Sequence, residues 1–227
     1  MTLRGAVFDL DGTLVDNMRW HARAWTALVR AHARDPRTDV ELESFIYAHA
    51  GMKNEELIPL LLPEGRDAPA LSSEKEALYR KLYAPSLSPL AGLLPLLDAL
   101  QSRGVLLAIA SAAPLLNRDL VLDGLLLRPR FAAIVGPEHA KRGKPFPDIF
   151  LEAARQLGLP PGECIAFEDA PKGVEAAVAA GMCCAALTTT ASAEDLRRAG
   201  ARWVAADFSG FSRSPLRRAR RTGRESS

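Results

Sequence analysis

The polar residues of this 227-residue chain that are able to do chemistry fall at the ends of apolar runs. Asp9 and Asp11 follow Gly5–Phe8, Ser111 follows the run VLLAIA, and Glu168 and Asp169 follow Cys164–Phe167. Lys144 lies in the loop GKPFPD, just ahead of a helix-like segment. In an open α/β sheet, ligands gather beyond the carboxyl ends of the strands, so these groups are expected to share one rim. Four carboxylates on one rim repel one another, and a divalent cation is the usual remedy. Oxygen-only ligands point to Mg²⁺, held among Asp9, Asp11, Glu168 and Asp169. Gly12 and Thr13 predict a tight turn whose backbone N–H groups face an anion. Ser111 and Lys144 add a hydroxyl donor and a fixed positive charge for a phosphoryl group. Asp9 is then placed to attack phosphorus, its own charge offset by metal and lysine. Asp11, two residues on, is placed to protonate the leaving oxygen and later to deprotonate water. No Ser-His-Asp set, glycine-rich P-loop or zinc-ligand cluster competes with this assignment.

The elements that must position these groups are legible as alternating runs. Gly5–Phe8, Val105–Ala110, Phe131–Val135, Cys164–Phe167, Cys183–Leu187 and Trp203–Ala206 are apolar throughout, the pattern of parallel strands buried on both faces. Three threonines follow the fifth run, and Asp207 follows the sixth. Helices are expected over about 147–157, ending before Gly158, and about 171–180, ending before Gly181. A third spans 89–103 and ends before Gly104, with Pro95 tolerable only in its first turn. This alternation implies an α/β architecture, a doubly wound parallel sheet. Residues from about 16 to 87 break the pattern. Trp25, Leu28, Val29 and Ala33, then Leu57, Leu60 and Leu61, recur at helical spacing, and an all-helical insertion fits best. The expected organisation is a core of residues 1–15 and 88–212, a helical insertion of 16–87, and a basic disordered tail of 213–227.

Composition excludes several classes. Apolar content of 48% with 25% charged residues is ordinary for a globular chain. No apolar run approaches the ~20 residues needed to span a bilayer, and the acids of MTLRGAVFDLDGTLVD come too early for a secretory signal. A cytoplasmic enzyme with no membrane partner is expected. The net charge of +2 hides an asymmetry: 213–227 carries six arginines and one glutamate, leaving a body of net charge −3. A basic tail on an acidic body is not the basic face of a nucleic-acid binder. Cys164, Cys183 and Cys184 sit inside apolar runs and are expected to be reduced and buried.

Taken in order, these motifs resemble the haloacid dehalogenase superfamily of phosphotransferases. The resemblance runs from Asp9-Leu10-Asp11-Gly12-Thr13, through Ser111 and Lys144, to Glu168-Asp169 in FEDAPKGVEAAVAAGM, where Gly173 and Gly181 also match. It implies a Rossmann-like core with a helical cap inserted after the first motif. It also implies Asp9 as nucleophile and Asp11 as general acid/base. Magnesium would sit on the Asp9 side chain, the Asp11 backbone carbonyl and Asp169, with Glu168 nearby. Ser111 and Lys144 would bind the phosphoryl oxygens.

Within that superfamily the chain is most similar to the β-phosphoglucomutase-like branch. Asp16, Asn17, His21 and Trp25 resemble the branch's entry to the cap, where a histidine lies close to the acid/base. Gly51-Met52-Lys53-Asn54-Glu55-Glu56 resembles its substrate-facing loop. Gly12, Thr13, His21, Trp25, Lys53, Asn54 and Ala112 are therefore expected to contact substrate. Two departures weigh against a mutase: Asn54 stands where that enzyme has a cap arginine, and Ser111-Ala112-Ala113-Pro114-Leu115 lacks the lysine that follows its second strand. Both cationic anchors for a bisphosphate are missing, and each charged hydrogen bond is worth about 1.5–3 kcal/mol. The expected activity is hydrolysis of small phosphate monoesters, with sugar phosphates as the expected class, by a monomer acting on a small phosphorylated metabolite. Interconversion of glucose 1-phosphate and glucose 6-phosphate is the alternative.

Overall fold

The first strand, β1 (Gly5–Phe8), is buried at every residue, as a strand covered on both faces must be. Four helices follow: α1 (Met18–His32), α2 (Asp39–Ala48), α3 (Asn54–Leu61) and α4 (Ala68–Tyr83). The alternating part then runs α5 (Leu93–Gln101), β2 (Leu106–Ala110), α6 (Leu115–Gly124), β3 (Ala133–Val135) and α7 (Asp148–Leu157). It ends with β4 (Cys164–Glu168), α8 (Pro171–Ala179), β5 (Cys183–Leu187), α9 (Ala193–Arg198) and β6 (Trp203–Ala205). The structure, a computed structural model, describes residues 3–49 and 54–211. The chain separates into two compact units, Met1–Asp16 with Ser88–Ser227, and Asn17–Leu87. The arginine-rich stretch 213–227 lies outside the described residues.

In the first unit all six strands are parallel, in the order β3-β2-β1-β4-β5-β6. This is the doubly wound α/β sheet that the alternation implies. β1 lies at its centre, with Phe8 opposite Ile109 on one side and Phe167 on the other. The Phe8 and Phe167 rings stack at 4.6 Å, and Phe208 closes on both. Burying a ring of this size contributes about 1.5–3 kcal/mol, so the stack locks β1 to β4. The register brings residue 9 alongside residues 168 and 169, and the Asp9 N–H donates to the Phe167 carbonyl at 2.9 Å.

Several boundaries differ from expectation, two of them by more than a residue. Phe131 and Ala132 precede β3 rather than opening it, and lead out of a turn over Arg128–Arg130, with Ala132 N–H already donating to Leu107 O of β2 at 2.8 Å. The third helix starts at Leu93 rather than residue 89, which does leave Pro95 in the first turn, where its missing N–H costs nothing. Gly158 ends α7 at φ +67°, the left-handed cap that glycine supplies without strain.

The helical unit has its own core. Trp25, Leu28 and Val29 of α1 pack with Leu42 and Ile46 of α2, Leu57, Ile58 and Leu61 of α3, and Leu71 of α4. The helix ends are specified locally. Thr38 and Glu41 form a reciprocal capping box ahead of α2, and the Asp67 carboxylate accepts from Ala70 N–H ahead of α4. Leu60, expected on the apolar stripe, faces solvent, since the stripe of this short helix runs through Leu57, Ile58 and Leu61 instead. Ala33 lies just past α1 and only flanks the core.

Where the chain leaves the sheet unit and returns to it, the Leu90 N–H donates to the Leu14 carbonyl at 2.8 Å. The three cysteines are free thiols; Cys164 and Cys184 are buried, whereas Cys183, at the start of β5, is partly exposed. Among the described residues no helix is long and apolar enough to cross a membrane.

Candidate active site

Asp9, Glu168 and Asp169 each present a carboxylate oxygen within 4.8 Å of the others, and all three are buried. The chain segments concerned are far apart in sequence, and only the β1–β4 register unites them. Local sequence sets the details. Glu168 accepts from the N–H groups of Asp169 and Ala170 at 3.0 and 3.3 Å, so its carboxylate caps the turn into α8. Gly173 makes room for it: a Cβ there would lie 1.9 Å from Glu168 Oε1. Asp169 accepts from the Thr13 hydroxyl at 3.0 Å. Gly12 stands at φ +75°, and a Cβ on it would lie 2.0 Å from Asp169 Oδ2.

Lys144 enters from the loop before α7. Its ammonium donates to Asp9 at 2.6 Å and to Glu168 at 2.5 Å, while Phe150 lies under it with the ring centre at 5.2 Å. Burial would pull this ammonium's pKa down, but the two carboxylates outweigh burial and raise it. One lysine against three carboxylates leaves an excess of negative charge. Burial first, then repulsion from Glu168 and Asp11, lifts the Asp9 carboxyl above its ordinary range, with Lys144 opposing. Burial, Glu168 and Asp9 lift Asp169 in the same way. A purely oxygen donor set of this charge fits a hard divalent cation, which would hold all three groups ionised.

Of the sequence-predicted residues, Asp11 is not one of the three that meet; its carboxylate acts on Asp9 from farther away. Ser111 is buried beyond β2. Its N–H donates to the Val135 carbonyl and its oxygen accepts from Ala113 N–H at 3.1 Å, which leaves its own O–H to donate elsewhere. Ala112 beside it is exposed. Thr13 differs from expectation: its N–H closes the turn onto Leu10 O at 3.3 Å and its hydroxyl is committed to Asp169, so its part is to orient a carboxylate.

The helical unit holds a separate polar set. His21 Nδ1 lies 2.8 Å from the Lys75 ammonium, and the ring stacks on Tyr79 at 3.8 Å. Burial and Lys75 together hold the His21 pKa well below its ordinary value, so the ring is neutral. Lys75 also donates to Glu76 at 2.9 Å, and Asn54 donates to Glu76 at 2.8 Å and to Ser72 at 3.0 Å. Trp25 corrects an expectation. Only 3% exposed, it belongs to the apolar core of the helical unit with Lys75 over its face, so its contribution there is packing. Lys53 lies outside the described residues, as do Gly51 and Met52.

Sequence reasoning missed Thr189, whose hydroxyl donates to the Gly12 carbonyl. The threonine run after the fifth strand was the available signal. It also missed Lys75 and Glu76, a buried ion pair that reads in the sequence as ordinary helix surface. Arg118, 2% exposed, was likewise invisible within an amphipathic helix.

Comparison with known proteins agrees with this geometry. The haloacid dehalogenase-like hydrolase family matches residues 3–181. Fructose-1-phosphate phosphatase YqaB of Escherichia coli (strain K12) is 32% identical over 180 residues, covering 78% of this chain and 93% of that protein. Beta-phosphoglucomutase of Bacillus subtilis (strain 168) is 33% identical over 190 residues, covering 79% and 81%. A family IA, variant 3 hydrolase from Entamoeba histolytica HM-1:IMSS has the same fold, with a TM-score of 0.85 at 24% identity over 96% of this chain and 99% of that one. By this match and these identities the chain belongs to the haloacid dehalogenase-like hydrolase family and is a phosphatase-type enzyme.

Proposed function

We propose that this enzyme is a magnesium-dependent phosphatase of small sugar phosphates that works through an aspartyl-phosphate on Asp9. The observation that carries the reading is the buried triad of Asp9, Glu168 and Asp169 with the Lys144 ammonium bridging two of its members. Asp9, the Asp11 backbone carbonyl and Asp169 would hold Mg²⁺ with Glu168 beside it, and the ion would supply neutralising charge for the phosphoryl oxygens. Lys144 and the Ser111 hydroxyl bind those oxygens and orient phosphorus toward Asp9. The Asp9 carboxylate attacks, the ester P–O bond breaks, and the departing sugar hydroxyl takes its proton from Asp11. Asp11 then accepts a proton from water, whose oxygen attacks phosphorus, releases inorganic phosphate and restores Asp9.

A sugar phosphate is supported by the activities of the relatives named above. Hydrolysis rather than mutase chemistry is supported by Asn54, whose amide is bonded to the Glu76 carboxylate in place of an arginine facing a second phosphate. The test supplies β-glucose 1-phosphate with a trace of the 1,6-bisphosphate. Free phosphate is expected, and glucose 6-phosphate formed without it would reject hydrolysis. Asp9→Asn should lower turnover by at least ~10⁴-fold, and Asp11→Asn should accumulate phosphorylated enzyme visible by mass spectrometry.

A further inference from the structure

Arg118 is among the largest fully buried side chains, yet it touches none of the triad. It lies one turn into α6, the helix that follows Ser111. Its guanidinium makes a two-pronged pair with Glu138, one bond of which measures 3.1 Å. Glu138 sits on the turn Pro137–His139 that opens the loop leading from β3 to Lys144, and its side chain is 49% exposed. Between them lies Gly136, where a Cβ would stand 1.1 Å from Arg118 Nη1. Gly136 has φ −116° and ψ −178°, extended backbone that any residue adopts, so glycine is needed here only for the guanidinium to lie against the chain.

As a stabilising device this arrangement is poor. Burying a guanidinium is costly, its Nε has no hydrogen-bond partner, and its acceptor is half in water. An apolar side chain of similar volume would serve packing as well. What the pair does is join α6 to the loop that follows β3. Ser111 N–H already holds the end of β3 through Val135 O, and Arg118 holds the residues just beyond through Glu138. The far end of the same loop is tied by Arg142 to Asp148 at 2.8 Å, with Phe146 N–H donating to Gly143 O. Lys144 stands between these two ties.

We propose that Arg118 is a positioning residue for Lys144: through Glu138 and across Gly136 it sets the reach of the lysine loop relative to Ser111, so that both groups meet the same phosphoryl oxygens. The inference rests on the reading of the site as a phosphoryl-binding centre.

The test is a double-mutant cycle between Arg118 and Lys144, read by turnover of p-nitrophenyl phosphate and, independently, by calorimetric affinity for inorganic phosphate. Arg118→Met should lower kcat about tenfold and weaken phosphate binding, while in a Lys144→Met background it should change either by less than about twofold. Gly136→Ala, which displaces the guanidinium without backbone strain, should reproduce Arg118→Met, and Arg118→Lys should restore part of the loss. Equal losses in both backgrounds would overturn the proposal. So would a lowered Tm with kcat and phosphate affinity unchanged. If Arg118→Met fails to fold, Gly136→Ala and Glu138→Gln carry the same cycle. Wild-type protein that hydrolyses no phosphate ester would sink the phosphatase reading, and the phosphate-affinity cycle would still decide the role of Arg118.

Discussion

Lys144→Met should drive metal binding and turnover in opposite directions. The ammonium lies 2.6 Å from Asp9 and 2.5 Å from Glu168, both members of the acidic triad, so a cation entering the triad meets it at close range. A unit charge and a divalent cation ~5 Å apart at an effective dielectric of ~20 interact by about 6–7 kcal/mol. Removing the lysine relieves that repulsion, which at about 1.4 kcal/mol per decade sets an upper limit of roughly 10⁴-fold on the tightening of Mg²⁺ binding. Catalysis loses instead. One charged hydrogen bond to a phosphoryl oxygen is worth about 1.5–3 kcal/mol, and removing a donor aimed at developing charge costs about 10²–10³ in kcat. Methionine retains most of the stem over Phe150, so packing changes little. Calorimetric titration with Mg²⁺ gives the affinity, and phosphate release from p-nitrophenyl phosphate gives the rate. A Mg²⁺ affinity that fell together with turnover would refute the reasoning, because Lys144 would then be shaping the triad rather than competing with its cation.

Gly12→Ala puts a side chain at φ +75°, costing about 1–2 kcal/mol, and drives its Cβ into Asp169. The Mg²⁺ concentration for half-maximal activity should rise at least ~10-fold, as a metal titration of the variant would show. Glu76→Gln tests the ion pair in the helical unit. Burial alone would raise the Glu76 carboxyl, but Lys75, with a hydrogen bond from Asn54, brings it from 4.5 to about 2. A folded-state pKa below the unfolded one gives stability that is present above about pH 4.5 and is lost as pH falls toward 2. The shift corresponds to about 3 kcal/mol at neutral pH. Chemical denaturation should show Glu76→Gln less stable by up to that amount at pH 7 and nearly equal to wild type near pH 2. Chelation by EDTA should lower the thermal midpoint, and Mg²⁺ should restore it, because three buried carboxylates lose their counter-charge.

The six strands were legible because each is a short apolar run ended by a polar residue or glycine, and a parallel sheet covered on both faces demands that pattern. The same rule placed Asp9, Ser111, Glu168 and Asp169 at strand ends. What it could not give is pairing. Nothing local to Phe8 says that Phe167 will stack on it, yet that contact brings the triad together. The interior of the helical unit was harder still. Its helices bury a lysine and a glutamate beside a half-buried histidine, and each of these residue types taken alone reads as surface. Thr13 shows a related gap: its sequence context predicts an anion-binding turn, whereas its hydroxyl serves Asp169. Side chains that act on other side chains leave no periodic trace.

The single hydrogen bond from Leu90 to Leu14 has an evolutionary corollary. It pins departure and return points side by side, so the intervening seventy-odd residues hang from a doorway and not from a strand-spanning bridge. Sequence inserted between closely held ends can lengthen, shorten or be exchanged at a small entropic cost, since closure grows only logarithmically with loop size. Descendants of such a gene can exchange the inserted unit while leaving the sheet-borne carboxylates untouched.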